Sequence, residues 1–146
     1  MTRIARHGHR VDIYTMKWWD GPVDRQEDGL WLHGVVPLRG LYTQSGRRSI
    51  WQALWFGCRV MPSLMRADFD LLDVDHMPFF PLFSSRLVAW LRRKPMSATW
   101  HEVWGLAYWN SYLSPLLGWI AYVVEKLSVW TPNRIISDSK LTTDRL

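Results

Sequence analysis

Cysteine is nearly absent: Cys58 stands alone in 146 residues, inside the apolar helical pattern "LWFGCRVM". A disulfide framework and a cysteine zinc site are both excluded, and a reducing cytosol is the expected setting. Long apolar runs are missing too. The longest, "LLGWIAYVV" at 116–124, stops at Glu125 and Lys126, well short of the roughly 18 to 20 residues that a membrane span needs. The opening "MTRIARHGHR" lacks the apolar core of a secretory leader. No repeat or low-complexity tract is present. Nor is there a Walker loop, a G-x-S-x-G elbow or an H-E-x-x-H, which removes the common hydrolase and nucleotide-kinase alternatives.

The residues that are there describe a globular chain, one domain or less, able to bury a core: 48% are hydrophobic and 21% charged. Arginine supplies 14 of the 18 positive side chains, and the net charge is +5. That surplus favours anionic partners, whether phosphates, nucleic acid or an acidic membrane face. The basic residues are scattered and no nucleic-acid motif accompanies them, so nucleic acid is not an expected partner.

Strand and helix periods alternate along the chain. "VDIYT" (11–15) and "GLWLHGVV" (29–36) read as strands between Gly, Asp and Pro punctuation. "SIWQALWFGCRVMPSLM" changes to three-and-four spacing, a helix with Ser49 as its N-cap and Pro62 as a place for a kink. "FDLLDV" (69–74), "PLFSSRLVAWLRRK" (81–94) and "PMSATW" (95–100) read as strand, helix, strand. "SPLLGWIAYVVEKLSVW" (114–130) follows as a helix and "RIISDS" (134–139) as a strand. This is the βαβ pattern of an α/β, Rossmann-like fold, a parallel sheet with flanking helices.

The first βα unit reads as incomplete. "MTRIARHGHR" has the marks of a helix end, with Gly8 at a left-handed cap position and a strand directly after it. "DSKLTTDRL" looks like a helix beginning, capped by Ser139. The expectation is a partial domain over 1–146.

Four passages carry a resemblance. "RHGHRVDIYT" resembles the "rGHeVtvyT" passage after the first helix in the N-terminal domain of family 4 (group 1) glycosyltransferases of the GT-B fold. "FDLLDVDHMPFF" looks like the family's next strand, "KPMSATWHEVWG" is similar to its "P-x-v-x-T-x-H" strand and loop, and "EKLSVWTPNRIISDSKLTTDRL" resembles the close of that domain. The resemblance implies two Rossmann-like domains flanking a cleft. It also implies transfer of a sugar, here a hexose, from a nucleotide sugar to a glycan or lipid-linked acceptor, without cofactor or metal. In such enzymes the N-terminal domain mainly holds the acceptor. The opening strand with its glycine-rich loop and the C-terminal donor-binding domain are both lacking here, so independent activity is not expected of the fragment. The implied setting is cytoplasmic, extending to the inner membrane face.

Candidate site residues follow. His101 stands at the family's "T-x-H" histidine, just past a predicted parallel strand, where ligands of open α/β sheets collect. Its role by resemblance is to contact the donor sugar or diphosphate; the alternative is a loop histidine satisfied by its neighbours. Glu102 would orient that imidazole or accept a proton from an acceptor hydroxyl, and a surface or helix-capping carboxylate is the competing reading. Trp104, Tyr108, Trp109 and Tyr112, read as a loop leading into a helix, suit an acceptor entrance, although an aromatic stripe is more often core. Asp73 and Asp75 form a D-x-D triplet on one strand face, but the surrounding pattern fits a metal-independent class. Asp75 and His76 are better placed for acceptor hydroxyls. Arg47 and Arg48, beside Gly46 at a predicted helix start, are a weak phosphate site set against a solvated turn. "RLVAWLRRK" (86–94) is either a basic membrane-surface helix or an ordinary crossover helix. A non-catalytic carbohydrate- or protein-binding module is the alternative function.

Overall fold

The computed structural model of the chain describes residues 1–40 and 49–146, so Gly46, Arg47 and Arg48 lie outside the described residues. Helix α1 (Thr2–Arg6) ends where the sequence places its cap: Gly8 takes a φ of +88°, a conformation that a Cβ disfavours. Strands β1 (Asp12–Lys17), β2 (Asp24–Glu27) and β3 (Leu30–Pro37) form one sheet in the order β1-β3-β2. β1 runs parallel to β3, and β2 antiparallel. β2 is an addition to the expected elements. Its polar sequence is a strand because Asp28 and Gly29, both at positive φ, fold it back on β3 in a two-residue turn.

The second sheet is wholly parallel, with β5 (Met96–Trp100) between β4 (Leu72–Asp75) and β6 (Arg134–Ser137). Helices α2 (Ile50–Arg66), α3 (Phe79–Leu91) and α5 (Pro115–Ser128) flank the strands, giving the Rossmann-like α/β arrangement that the alternating periods predict. Ser49 caps α2, its Oγ accepting from the Gln52 N–H at 3.4 Å, and the helix runs on through Pro62 to Arg66. Two differences matter for the site. The strand expected over 69–74 is shifted to 72–75, and the stretch read as a loop after Trp104 is a helix, α4 (Gly105–Tyr112). The chain closes with α6 (Lys140–Arg145), whose N-cap Ser139 accepts from the Thr142 N–H at 3.1 Å.

β5 is the axis of the core. Met96, Ala98 and Trp100 are buried and meet Leu82 and Ala89 of α3. Complete burial of a side chain such as Leu82 contributes about 2 kcal/mol. A second cluster joins Val60 and Leu64 of α2 to Val88 of α3, with Tyr14 of β1 and Leu72 of β4 packed against it, so both sheets share one helical layer. Among the described residues no helix is long and apolar enough to cross a membrane.

Candidate functional site at the strand ends

The three parallel strands β4, β5 and β6 end side by side, and each ends in a titratable residue. Asp75 is the last residue of β4, His101 follows β5 and Asp138 follows β6. The His101 ring joins them: Nδ1 lies 2.8 Å from Asp138 Oδ2 and Nε2 3.3 Å from Asp75 Oδ1. With a carboxylate on either side, both ring nitrogens act best as donors, so the imidazolium is favoured. The hydrogen bond that His101 donates to Asp138, then that to Asp75, holds its pKa above the ordinary histidine value. The cluster is open to solvent: the side chains of His101, Asp75 and Asp138 are 54%, 74% and 46% exposed.

His76 is the opposite case. It is only 2% exposed, stacked on Trp100 with ring centroids 5.2 Å apart and planes at 19°. Its Nδ1 approaches the Thr99 carbonyl at 3.3 Å, while its buried Nε2 has no partner among the described residues. Burial pushes its pKa below the ordinary value, against the Thr99 hydrogen bond that raises it. The neutral Nδ1–H tautomer fits both observations. His76 thus sits beneath the surface, 6.2 Å from the His101 ring.

Of the other residues singled out in the sequence, Glu102 is exposed, next to the cluster. Asp73 points to Ser97, accepting its Oγ–H at 2.6 Å. The aromatic stretch divides. Trp109 is buried and contacts Phe79 at 6.2 Å, and Phe79 in turn contacts His76 at 6.3 Å. Trp104 is half-buried, 4.4 Å from Tyr108 and 4.7 Å from Trp109, while Tyr108 is exposed. The contacts make one aromatic chain from α4 back to the histidines. A cavity of about 590 Å³, which His101 does not line, lies against Arg86, Trp90, Arg93, Lys94 and Asn133.

Four hydrogen bonds fix the loop after His101, and the side chains that make them, from Thr142, Arg145 and Glu125, belong to residues that the sequence did not single out as site residues. Thr142 of α6 donates its hydroxyl to the His101 carbonyl at 2.9 Å, and Arg145 donates to the Val103 carbonyl at 3.2 Å. Glu125 of α5, 1% exposed, accepts from the backbone N–H of Trp104 at 2.8 Å and of Gly105 at 2.9 Å. It is a buried carboxylate cap on the start of α4, supplied from 20 residues away. Gly118 completes the α4–α5 contact, because a Cβ there would lie 2.8 Å from backbone atoms of Trp109 and Asn110.

No curated protein matches the chain. A family model, described as Glycosyltransferase Family 4, matches residues 1–146. The ordered motifs, the parallel sheet with its flanking helices and this full-length match lead to one conclusion: the chain belongs to Glycosyltransferase Family 4.

Proposed function

We propose that the chain is the acceptor-side, N-terminal domain of a metal-independent hexosyltransferase that uses a nucleotide-sugar donor, with the donor held by a C-terminal domain of the same enzyme. The observation that carries this reading is the convergence of His101, Asp75 and Asp138 at the carboxyl ends of three parallel strands, where open α/β sheets bind ligands. In the reaction an acceptor hydroxyl oxygen bonds to the anomeric carbon, and the bond from that carbon to the diphosphate oxygen breaks. The electron pair leaves with the nucleoside diphosphate, and the hydroxyl proton passes to a carboxylate, for which exposed Glu102 is the candidate. His101 as imidazolium stabilises the charge growing on the diphosphate. Its longer bond, to Asp75 at 3.3 Å, is the one exchanged for the ligand, while Asp138 keeps the ring oriented.

Trp104 and Tyr108 form the acceptor wall, which suits the apolar C–H face of a sugar or a lipid-linked acceptor. Arg47 and Arg48 remain as auxiliary phosphate contacts. The proposed setting is cytoplasmic. The test is transfer of radiolabelled hexose from a nucleotide sugar into a glycan or lipid fraction by the enzyme that carries this domain. A labelled product supports the reading. Binding of glycan with no transfer from any nucleotide sugar would leave a carbohydrate-binding module.

A further inference from the structure

The first turn of α2 buries a polar side chain that the fold does not use. Gln52 is 7% exposed, and neither its Oε1 nor its Nε2 has a hydrogen-bond partner among the described residues. No other described side chain leaves both a donor and an acceptor buried and unpaired. The backbone N–H of Gln52 donates to Ser49 Oγ at 3.4 Å, so the helix cap takes the main chain and leaves the side-chain amide over. A buried amide without a partner costs free energy that an apolar side chain of the same shape would not, and the partner it lacks has to come from outside the fold.

Room for such a partner is present. A cavity of about 380 Å³ is lined by Arg39, Gly40, Ser49, Trp51, Gln52 and Trp55. Arg39 lies just past β3, a strand parallel to β1, at the carboxyl end where open α/β sheets bind ligands. Trp51 and Trp55 stand one helical turn apart on α2, on either side of Gln52 in the chain. Trp51 is 81% exposed, an indole turned to solvent. The Arg39 guanidinium lies over the Trp55 ring, 5.6 Å from its centroid, and has no carboxylate partner among the described residues. Stacking of this kind holds the guanidinium plane and leaves its N–H edges free for an anion.

We propose that this cavity binds a sugar ring carrying an anionic substituent, with two adjacent hydroxyls on the Gln52 amide, the apolar C–H face on Trp51 and the carboxylate or phosphate on Arg39. An amide sets one acceptor beside a donor, which a pair of neighbouring hydroxyls matches. An indole suits the apolar face of the ring, and the guanidinium fork suits a carboxylate or phosphate. The cavity falls within the range of small-ligand sites, about 300 to 1,000 Å³. It shares no residue with the His101 cluster, so it is a second site, on the first sheet, and it does not rest on the proposed transfer.

The test is titration of the full-length protein with methyl glucuronide, glucose 6-phosphate and neutral methyl glucoside, read by calorimetry. At least one of the two anionic sugars binds about tenfold more tightly than the glucoside, and the tighter of the two tells carboxylate from phosphate. Arg39→Gln removes that preference. Gln52→Leu weakens binding of the anionic sugar by about tenfold or more, yet unfolds at the same or a higher urea concentration, because it removes an unpaired group. Trp51→Ala, at an exposed position, weakens binding with the circular dichroism unchanged, and His101→Ala leaves the affinity as it was. Equal affinity for the three sugars, or no binding of any, overturns the proposal. So does wild-type affinity in Gln52→Leu, or a loss of stability in that variant, which would show that the amide is held within the fold. Binding that is lost in His101→Ala and kept in Gln52→Leu assigns the sugar to the strand-end site and overturns it equally. Hexosyl transfer is a separate measurement: its absence removes the proposed enzyme function and leaves this site standing.

Discussion

His101 Nδ1 and Asp138 Oδ2 lie 2.8 Å apart although 37 residues separate them in the chain. Pairing of β5 with β6, which sets Trp100 opposite Ser137, brings the two residues that follow into reach. The bond fixes the ring's orientation and favours its charged form, while His76, one layer below, is kept neutral by burial.

The two histidines therefore titrate apart. In a nitrogen-detected NMR titration, His101 is expected above the ordinary histidine value and His76 below it. Asp138→Asn brings His101 back toward the ordinary value and leaves His76 where it was. Indistinguishable titration of the two rings would contradict the assigned bonds.

Stability follows the same shifts with opposite signs. The His101 contribution is complete below the unfolded histidine pKa of about 6.5 and is lost as pH rises through its elevated folded value. The His76 contribution is present above about 6.5 and is lost as pH falls through its depressed folded value. Urea unfolding across this range is expected to show the acid-side loss weakened in His76→Phe and the alkaline-side loss weakened in His101→Gln. Because His101 is more than half exposed, its effect is the smaller one.

Glu125 holds α4 from a distance. Glu125→Ala leaves the N–H groups of Trp104 and Gly105 without their acceptor and is expected to destabilise the domain by about 3 kcal/mol in urea unfolding. Glu125→Gln, which keeps one acceptor oxygen, loses less. A change below about 1 kcal/mol in the alanine variant would show that α4 needs no such cap.

The α4–α5 contact depends on Gly118 in the same way. A methyl group there meets backbone, which cannot rotate aside, so Gly118→Ala is expected to cost about 2 kcal/mol by the same measurement. An unchanged midpoint would mean that the hairpin is looser than its contacts.

Much of this was legible before any coordinates, and the failures have physical causes. The alternation of strand and helix periods gave the parallel sheet, because its central strand β5 is buried and packs against the crossover helix α3. β2 was hidden because Asp24–Glu27 carries no β-forming side chain; its one sign was Asp28-Gly29, a favoured two-residue hairpin turn. α4 was hidden because it is eight residues long, buries only Trp109 and takes its cap from Glu125 instead of a local Ser or Asp. At the candidate site, the strand-end positions of His101 and Asp75 were legible in the sequence. Asp138 obeys the same rule at the end of "RIIS", yet its role depends on β6 lying beside β5, which is tertiary information.

The central claim is that His101 serves hexosyl transfer at this edge of the sheet, and the rate of radiolabelled hexose transfer from a nucleotide sugar by His101→Ala tests it most directly. Measured in the enzyme that carries this domain, with circular dichroism confirming the fold, the variant is expected to lose about 10²-fold or more, as removal of an electrostatic stabiliser does. A folded His101→Ala enzyme with undiminished turnover would contradict the account.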